Sequence, residues 1–231
     1  MRIAIAQLNP TVGDFAGNLG KIEETLKRVK SEHPDLVAFP EMFLTGYPPQ
    51  DLLEKQWFMD RAEQALEALR GLSRREAETG ILIGTISRSS RAPGKGLLNT
   101  AVLLKAGETV LSQNKILLPT YDVFDEARYF DSGDSVDVAE FAGERLGVSI
   151  CEDAWTDPGL WRTPIYDADP VADAVAGGAT LLINLSASPF SVGKDSVRHH
   201  LFTTHARKHG VPFVLVMQVG GTDVLGCDGL C

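Results

Sequence analysis

Cysteine is scarce in this chain. Three residues, Cys151, Cys227 and Cys231, occur in 231, an odd number with no paired CxxC framework. That argues against a disulfide scaffold and a structural zinc site, and it fits a reducing compartment. Basic clusters are missing as well. Lysine and arginine number 22 against 31 acidic residues, a formal net charge of −9, and they form no run. A nucleic-acid partner is therefore not expected, because such proteins concentrate positive charge on one face. No stretch of about 18 consecutive apolar residues occurs, which excludes a membrane-spanning helix. The opening "MRIAIAQLNP" reaches Gln7 and Asn9 without a long apolar core or a small-residue cleavage site, so no secretory signal is expected. These absences leave a soluble, cytoplasmic chain as the expectation. With 44% hydrophobic residues it can bury a sizeable core as one domain.

What is present reads as alternating strands and helices. "RIAIAQ" (2–7) predicts a strand, and Leu19, Ile22, Leu26 and Val29 fall at helical spacing, ending near His33 and Pro34. "DLVAFP" (35–40) predicts a buried strand stopped by Pro40, which cannot donate to a central ladder. A turn-rich loop (41–53) leads to a helix over about 57–79, with Ala65, Leu66, Leu69 and Leu72 on one face. Strands follow at 81–86, 98–105 and 108–115, the last two joined at Ala106-Gly107 as a hairpin. Further strands are expected at 135–142, 144–150, 180–186 and 213–218, and helices at 165–178 and 194–209. Gly220-Gly221 reads as a tight turn. Strands alternating with helices imply an α/β fold with a parallel sheet under helical cover, and the hairpins make it mixed.

Parallel strands deliver functional side chains at their carboxyl ends. Three chemically capable residues stand there: Glu41 after "LVAFP", Lys115 after "TVLSQN" and Cys151 after "GVSI". Cys151 is followed at once by Glu152 and Asp153, and negative neighbours make a thiol a poorer nucleophile. Either Cys151 is inert packing or other groups compensate. A lysine ammonium would favour thiolate, a buried glutamate could take the proton, and Glu152 could point its side chain away while its backbone N–H serves as an oxyanion donor. Both readings stay open on spacing alone, since free cysteine is commonly a core residue and strand-end charges are commonly solvated.

"FPEMFLTGYPPQDLL" (39–53), "NKILLPTYDVFDEARYF" (114–130), "GVSICEDAW" (147–155) and "INLSASPFSVGK" (183–194) together resemble the nitrilase-superfamily (carbon-nitrogen hydrolase) amidohydrolases. Within them the chain is most similar to the glutaminase domain of glutamine-dependent NAD+ synthetases, from Met1 to about Gly221. The resemblance implies a four-layer αββα sandwich and places a catalytic triad on Glu41, Lys115 and Cys151. It adds Glu126 as a further glutamate near the lysine, the Glu152 amide at the oxyanion, and Tyr47, Tyr121, Phe124, Ser188 and Lys194 in a glutamine pocket. Asp153 and Trp155 read as supports of the loop rather than reacting groups.

The implied reaction hydrolyses the side-chain amide of glutamine to glutamate and ammonia through a cysteine thioester, with no cofactor and no metal. ATP and Mg2+ would belong to a synthetase domain, supplied by a longer protein or in trans, and a homo-oligomer is expected. No synthetase domain is read in residues 1–231, and the last strands of the sandwich are expected to be missing, leaving an exposed sheet edge. "VLGCDGLC" (224–231) fits the family poorly. Four rival readings stand beside this one. A stand-alone amidase could act on another small ω-amide or carbamoyl compound. A metal hydrolase could use His199, His200, His205 and His209, whose bland reading is a solvated helix face. A histidine could assist Cys151, or the chain could be a non-catalytic interaction module.

Overall fold

The computed structural model describes residues 1–156, 165–222 and 225–229, so Cys231 and Val224 lie outside the described residues. In chain order its strands are β1 (Ile3–Ile5), β2 (Leu36–Ala38), β3 (Gly80–Arg88), β4 (Leu97–Lys105), β5 (Glu108–Asn114), β6 (Val138–Phe141), β7 (Glu144–Ile150), β8 (Leu181–Ser186), β9 (Phe213–Met217), β10 (Val219–Thr222) and β11 (Leu225–Asp228). The helices are α1 (Phe15–Val29), α2 (Gln56–Arg75), α3 (Glu126–Tyr129), α4 (Pro170–Ala176) and α5 (Lys194–His209). No helix among the described residues is long and apolar enough to cross a membrane.

Two sheets divide the strands. One has the order β1-β2-β3-β4-β5 and the other β6-β7-β8-β9, while β10 and β11 form a separate antiparallel hairpin. The period-two alternation of a strand explains how the layers stack. In the first sheet Val37, Ile81, Ile83, Val102 and Leu104 face one core with Ile22 of α1 and Leu69 of α2. The intervening Leu36, Ala38, Leu82, Ala101 and Leu103 face a second core, where they meet Leu146, Val148, Ile150, Ile183 and Leu185 of the other sheet. Leu182 points from that second sheet into a third core with Val171 and Ala174 of α4, and Phe202 of α5 packs against it. Helix, sheet, sheet and helix therefore lie in four layers. Burial on both faces is why "LVAF", "ILI" and "AVLL" read as unbroken apolar runs.

Some boundaries differ from the sequence reading. The helix expected over 165–178 begins at Pro170, because Asp169 caps it by accepting from the amide of Ala172. The strand expected from 135 begins at Val138. Gly220 and Gly221 are not a turn but part of β10, where Gly220, at a φ of 100°, lets the Asn9 side chain lie against the backbone. The strand β9 pairs only with β8 among the described residues.

The topology aligns the chemically capable strand ends. β1, β2 and β3 are parallel, and β4 is antiparallel to both β3 and β5. Hence β5 runs in the direction of β2, and Glu41 and Lys115 leave the sheet on the same side. The turn after β2 then presses on β3 at Gly84. Gly84 N–H donates to Pro40 O at 3.1 Å, and Leu44 N–H donates to Gly84 O at 3.2 Å. A Cβ at position 84 would lie 2.2 Å from Met42 N and 2.6 Å from the Glu41 backbone. Gly84→Ala is accordingly expected to destabilise the protein by about 1–3 kcal/mol. A lower urea midpoint checks it, and an unchanged midpoint would show that the turn carrying Glu41 yields freely.

Candidate active site

Cys151 begins a single tight turn, Cys151–Ala154, that follows β7 directly. Its φ is +44°, a left-handed conformation for a residue with a Cβ. Such a position costs about 1–3 kcal/mol and persists only where its surroundings over-determine it. Here they do. Asn184 Nδ2 donates to the Cys151 carbonyl at 3.3 Å and to Ser149 Oγ at 2.9 Å. The buried Asp153 carboxylate accepts from Ile150 N–H at 2.9 Å, Ile116 N–H at 3.0 Å and Leu117 N–H at 2.8 Å. One carboxylate thus ties the end of β7 to the residues just after Lys115, across the two sheets. Burial pushes Asp153 up to about 7, while those three amides and Lys115 act in the opposite sense.

Glu41, Lys115 and Glu126 come together in a sealed cluster. Lys115 Nζ lies 2.9 Å from Glu41 Oε1 and 2.8 Å from Glu126 Oε1. Glu41 Oε1 also accepts from Asn99 Nδ2 at 2.8 Å, and Glu41 Oε2 accepts from Ala187 N–H at 3.0 Å. Three donors from β4, the end of β5 and the segment after β8 therefore fix its rotamer. Tyr47 OH donates to Glu126 Oε1 at 2.9 Å, leaving Glu126 Oε2 buried without a hydrogen-bond partner. Ser186 Oγ donates to Cys151 Sγ at 3.3 Å.

The charges in this cluster control one another. Burial works against the Lys115 ammonium, but Glu126 and Glu41 outweigh it and hold its pKa well above the usual lysine value. Burial raises Glu126, Lys115 pulls it back, and Glu41 pushes it up again. For Cys151, burial and then Glu41 push the thiol well above its ordinary value, against the opposite pull of Lys115 and of the Ser186 hydrogen bond. Lys115 thus acts on the thiol in the direction expected from the sequence, but burial and Glu41 work against it, so a base beside the sulfur is needed to draw off the proton.

The Glu152 side chain is 2% exposed, accepting from Tyr121 OH at 2.8 and 2.9 Å and from Tyr166 OH at 2.9 Å. Burial and then Glu152 push both phenols upward, so both keep the proton they donate. Tyr121 is 40% exposed and meets Phe124 edge-on at 5.7 Å. Phe124, Tyr47 and Glu126 line a cavity of about 160 Å3. Ser188 is buried two residues beyond Ser186, and Lys194 Nζ stands 5.5 Å over the Trp155 ring. Of the pocket residues expected from the resemblance, Tyr47 and Phe124 line this cavity, and Tyr121 touches Phe124.

The sequence reading did not single out Asn99, Asn184, Ser186 or Tyr166. A signal existed for the first three, each a polar residue inside an apolar strand, since such groups are buried only when hydrogen-bonded. The histidine reading is corrected too. His199 and His200 are exposed, but His205 is fully buried, with Nε2 2.8 Å from Ala154 O. Among the described residues no group of three or more histidine, cysteine or acidic side chains could hold a metal ion.

Because Lys115 is the counter-charge of two buried carboxylates, Lys115→Met is expected to cost about 3–5 kcal/mol. It should also move iodoacetamide labelling of Cys151 to higher pH, since the pull of the ammonium on the thiol is lost. Thermal denaturation and a labelling-rate profile check these, and an unchanged profile would show that Lys115 does not act on the thiol.

The sequence profile described as carbon-nitrogen hydrolase matches residues 2–228. A glutamine-dependent NAD(+) synthetase of Synechocystis sp. is 40% identical over 230 residues, covering 98% of this chain and 41% of its own length. One from Thermotoga maritima is 38% identical, covering 99% of this chain and 37% of its own length. The chain therefore spans about two fifths of the length of these relatives. Among solved structures, the glutamine-dependent NAD+ synthetase of Acinetobacter baumannii superposes with a TM-score of 0.85 at 30% identity, over 99% of this chain and 40% of that one. An amidase from Nesterenkonia sp. superposes with a TM-score of 0.82 at 25% identity, over 99% and 80%. A profile match across almost the whole sequence, joined to the sandwich and the buried cluster, makes this chain a member of the carbon-nitrogen hydrolase family.

Proposed function

We propose that the chain hydrolyses the side-chain amide of glutamine, with Cys151 as nucleophile, Glu41 as general base and Lys115 as the cation of the oxyanion site. The observation that carries the chemistry is the Glu41–Lys115 contact of 2.9 Å, sealed from water beside a cysteine at a fixed strand end. A carboxylate held by three donors cannot rotate away from the thiol, and a cation in a dry site stabilises developing negative charge more than it would in water.

In the first step Glu41 takes the thiol proton as sulfur bonds to the amide carbon, and the carbonyl electrons move to oxygen beside Lys115 and the Glu152 amide. The tetrahedral centre collapses with cleavage of the carbon–nitrogen bond. Glu41 returns the proton to the departing nitrogen, and ammonia leaves. Glu41 then removes a proton from water, whose oxygen attacks the thioester. The carbon–sulfur bond breaks, the proton returns to Cys151, and glutamate is released. Glu126 positions Lys115, and its unpartnered Oε2 is available to accept from the amide nitrogen. Tyr47, Tyr121, Phe124, Ser188 and Lys194 form the glutamine pocket in this reading. No cofactor takes part in the hydrolysis. The relatives named above suggest the destination of the ammonia, an NAD+ synthetase domain in a longer protein or in trans, where ATP and Mg2+ would act.

The likeness to the Nesterenkonia amidase over 80% of that chain favours one second reading, an amidase for other small ω-amides. Ammonia release measured on glutamine and on simple ω-amides separates the two. Cys151→Ala should abolish release, and Glu41→Gln should lower it by about 100-fold or more. Release that survives Cys151→Ala would remove the mechanism, while equal turnover of simple amides would remove only the choice of glutamine.

A further inference from the structure

α5 carries a histidine that this chemistry does not use. His205 is fully buried, and its Nε2 lies 2.8 Å from the carbonyl oxygen of Ala154. Ala154 closes the turn that Cys151 opens, so a side chain from the outer helical layer reaches the last residue of the cysteine's own turn. A carbonyl can only accept, so Nε2 carries the hydrogen and Nδ1 is the basic nitrogen. That nitrogen is buried and has no hydrogen-bond partner.

No element packed against the ring gives Nδ1 a hydrogen-bond partner. Phe213 of β9 meets it edge-on at 6.0 Å, and His209, one helical turn further along α5, stacks on it at 6.1 Å. The charged groups that face it are Asp169, which caps α4, and Lys208 of α5, and these two pair with each other at 3.7 Å. Within the turn, Glu152 is engaged by Tyr121 and Tyr166, and Asp153 by backbone amides. Burial, helped by His209 and Lys208, holds His205 below the usual histidine value against the Ala154 hydrogen bond and Asp169.

The same layer grips the residue after Trp155, since Thr156 Oγ1 donates to Asp169 Oδ1 at 3.0 Å. Asp153 therefore fixes the turn to the strand ends, and His205 with Asp169 fixes its exit to the helices. Cys151 sits between these anchors at a φ of +44°, where its Sγ goes wherever the turn goes.

We propose that His205 is a positioning residue for Cys151, acting through the Ala154 carbonyl, and that a proton on its Nδ1, a buried charge with no hydrogen-bond partner, loosens the turn by drawing the ring toward water although the cation donates more strongly to Ala154. The inference rests on the reading of Cys151 as nucleophile. Its sign follows from linkage. A histidine whose folded value lies below the unfolded one contributes stability that is complete above the ordinary value, about 6.5, and is lost as pH falls toward the folded value. The turn should thus be firm at neutral pH and loosen on acidification.

The test compares His205→Ala and His205→Gln with wild type, reading glutamine turnover and the rate of iodoacetamide labelling of the Cys151 peptide by mass. His205→Ala is expected to lower kcat about ten-fold or more, as expected for a displaced nucleophile, with KM within about two-fold, and to slow labelling. The glutamine variant places an amide nitrogen where Nε2 stood and cannot titrate. It should restore most of kcat and of the labelling rate and move the acid limb of wild type to lower pH. Wild-type kcat in His205→Ala, or an unmoved acid limb in His205→Gln, would overturn the inference. Should the alanine variant fail to fold, NMR titration of His205 in wild type decides, and a ring titrating at or above the ordinary histidine value overturns it. Wild type inert toward both iodoacetamide and glutamine would overturn the nucleophile reading and this inference with it.

Discussion

The Lys115 ammonium, sealed between Glu41 and Glu126, is the constraint around which the rest of the molecule is arranged. A charge cut off from water is tolerated only with partners at hydrogen-bond distance, and removing any partner leaves the others uncompensated. The strand ends that bear these groups are therefore fixed relative to one another. Asn99 and the Ala187 amide complete Glu41, Tyr47 completes one oxygen of Glu126, and Asp153 locks the chain just after Lys115 to the end of β7. The same arrangement that makes the cluster hard to assemble makes it chemically prepared, because its dipoles and charges need no rearrangement when negative charge develops.

The four layers divide the work. The inner sheets present Glu41, Lys115 and Cys151 at their strand ends, where two buried faces give a rigid support. The outer layer of α4 and α5 does not reach the thiol, yet it holds the turn behind it through Ala154 and Thr156. The left-handed backbone at Cys151 is intelligible in that setting, since a strained residue survives where neighbours on several sides forbid its relaxation.

Much of the scaffold was legible because its signals are local. α5 was read at its observed boundaries, and glycines with positive φ flank it at positions 193 and 210. The hairpin at Ala106-Gly107 was equally plain, both residues having positive φ between β4 and β5. Signals that depend on what a residue meets in space were lost. Gly220-Gly221 looked like a turn because the approach of Asn9 that requires a glycine comes from the far end of the chain. His205 looked like part of a solvated helix face because helical spacing does not tell which side another layer covers.

The sequence by itself determined the alternation of strands and helices and the strand ends at Glu41, Lys115 and Cys151, since apolar periodicity is a property of short stretches, while the four layers and Glu126 came from the resemblance carried by the motifs. Only the tertiary structure decided the balance of burial, Glu41 and Lys115 acting on the thiol, the burial of the Glu152 carboxylate against Tyr121 and Tyr166, and the anchoring of the Cys151 turn by Asp153 and His205. The physical reason is that burial and electrostatics act through space. The groups that act on Cys151 lie in the other sheet or at far-off strand ends, and no spacing along the chain reveals whether water remains between them.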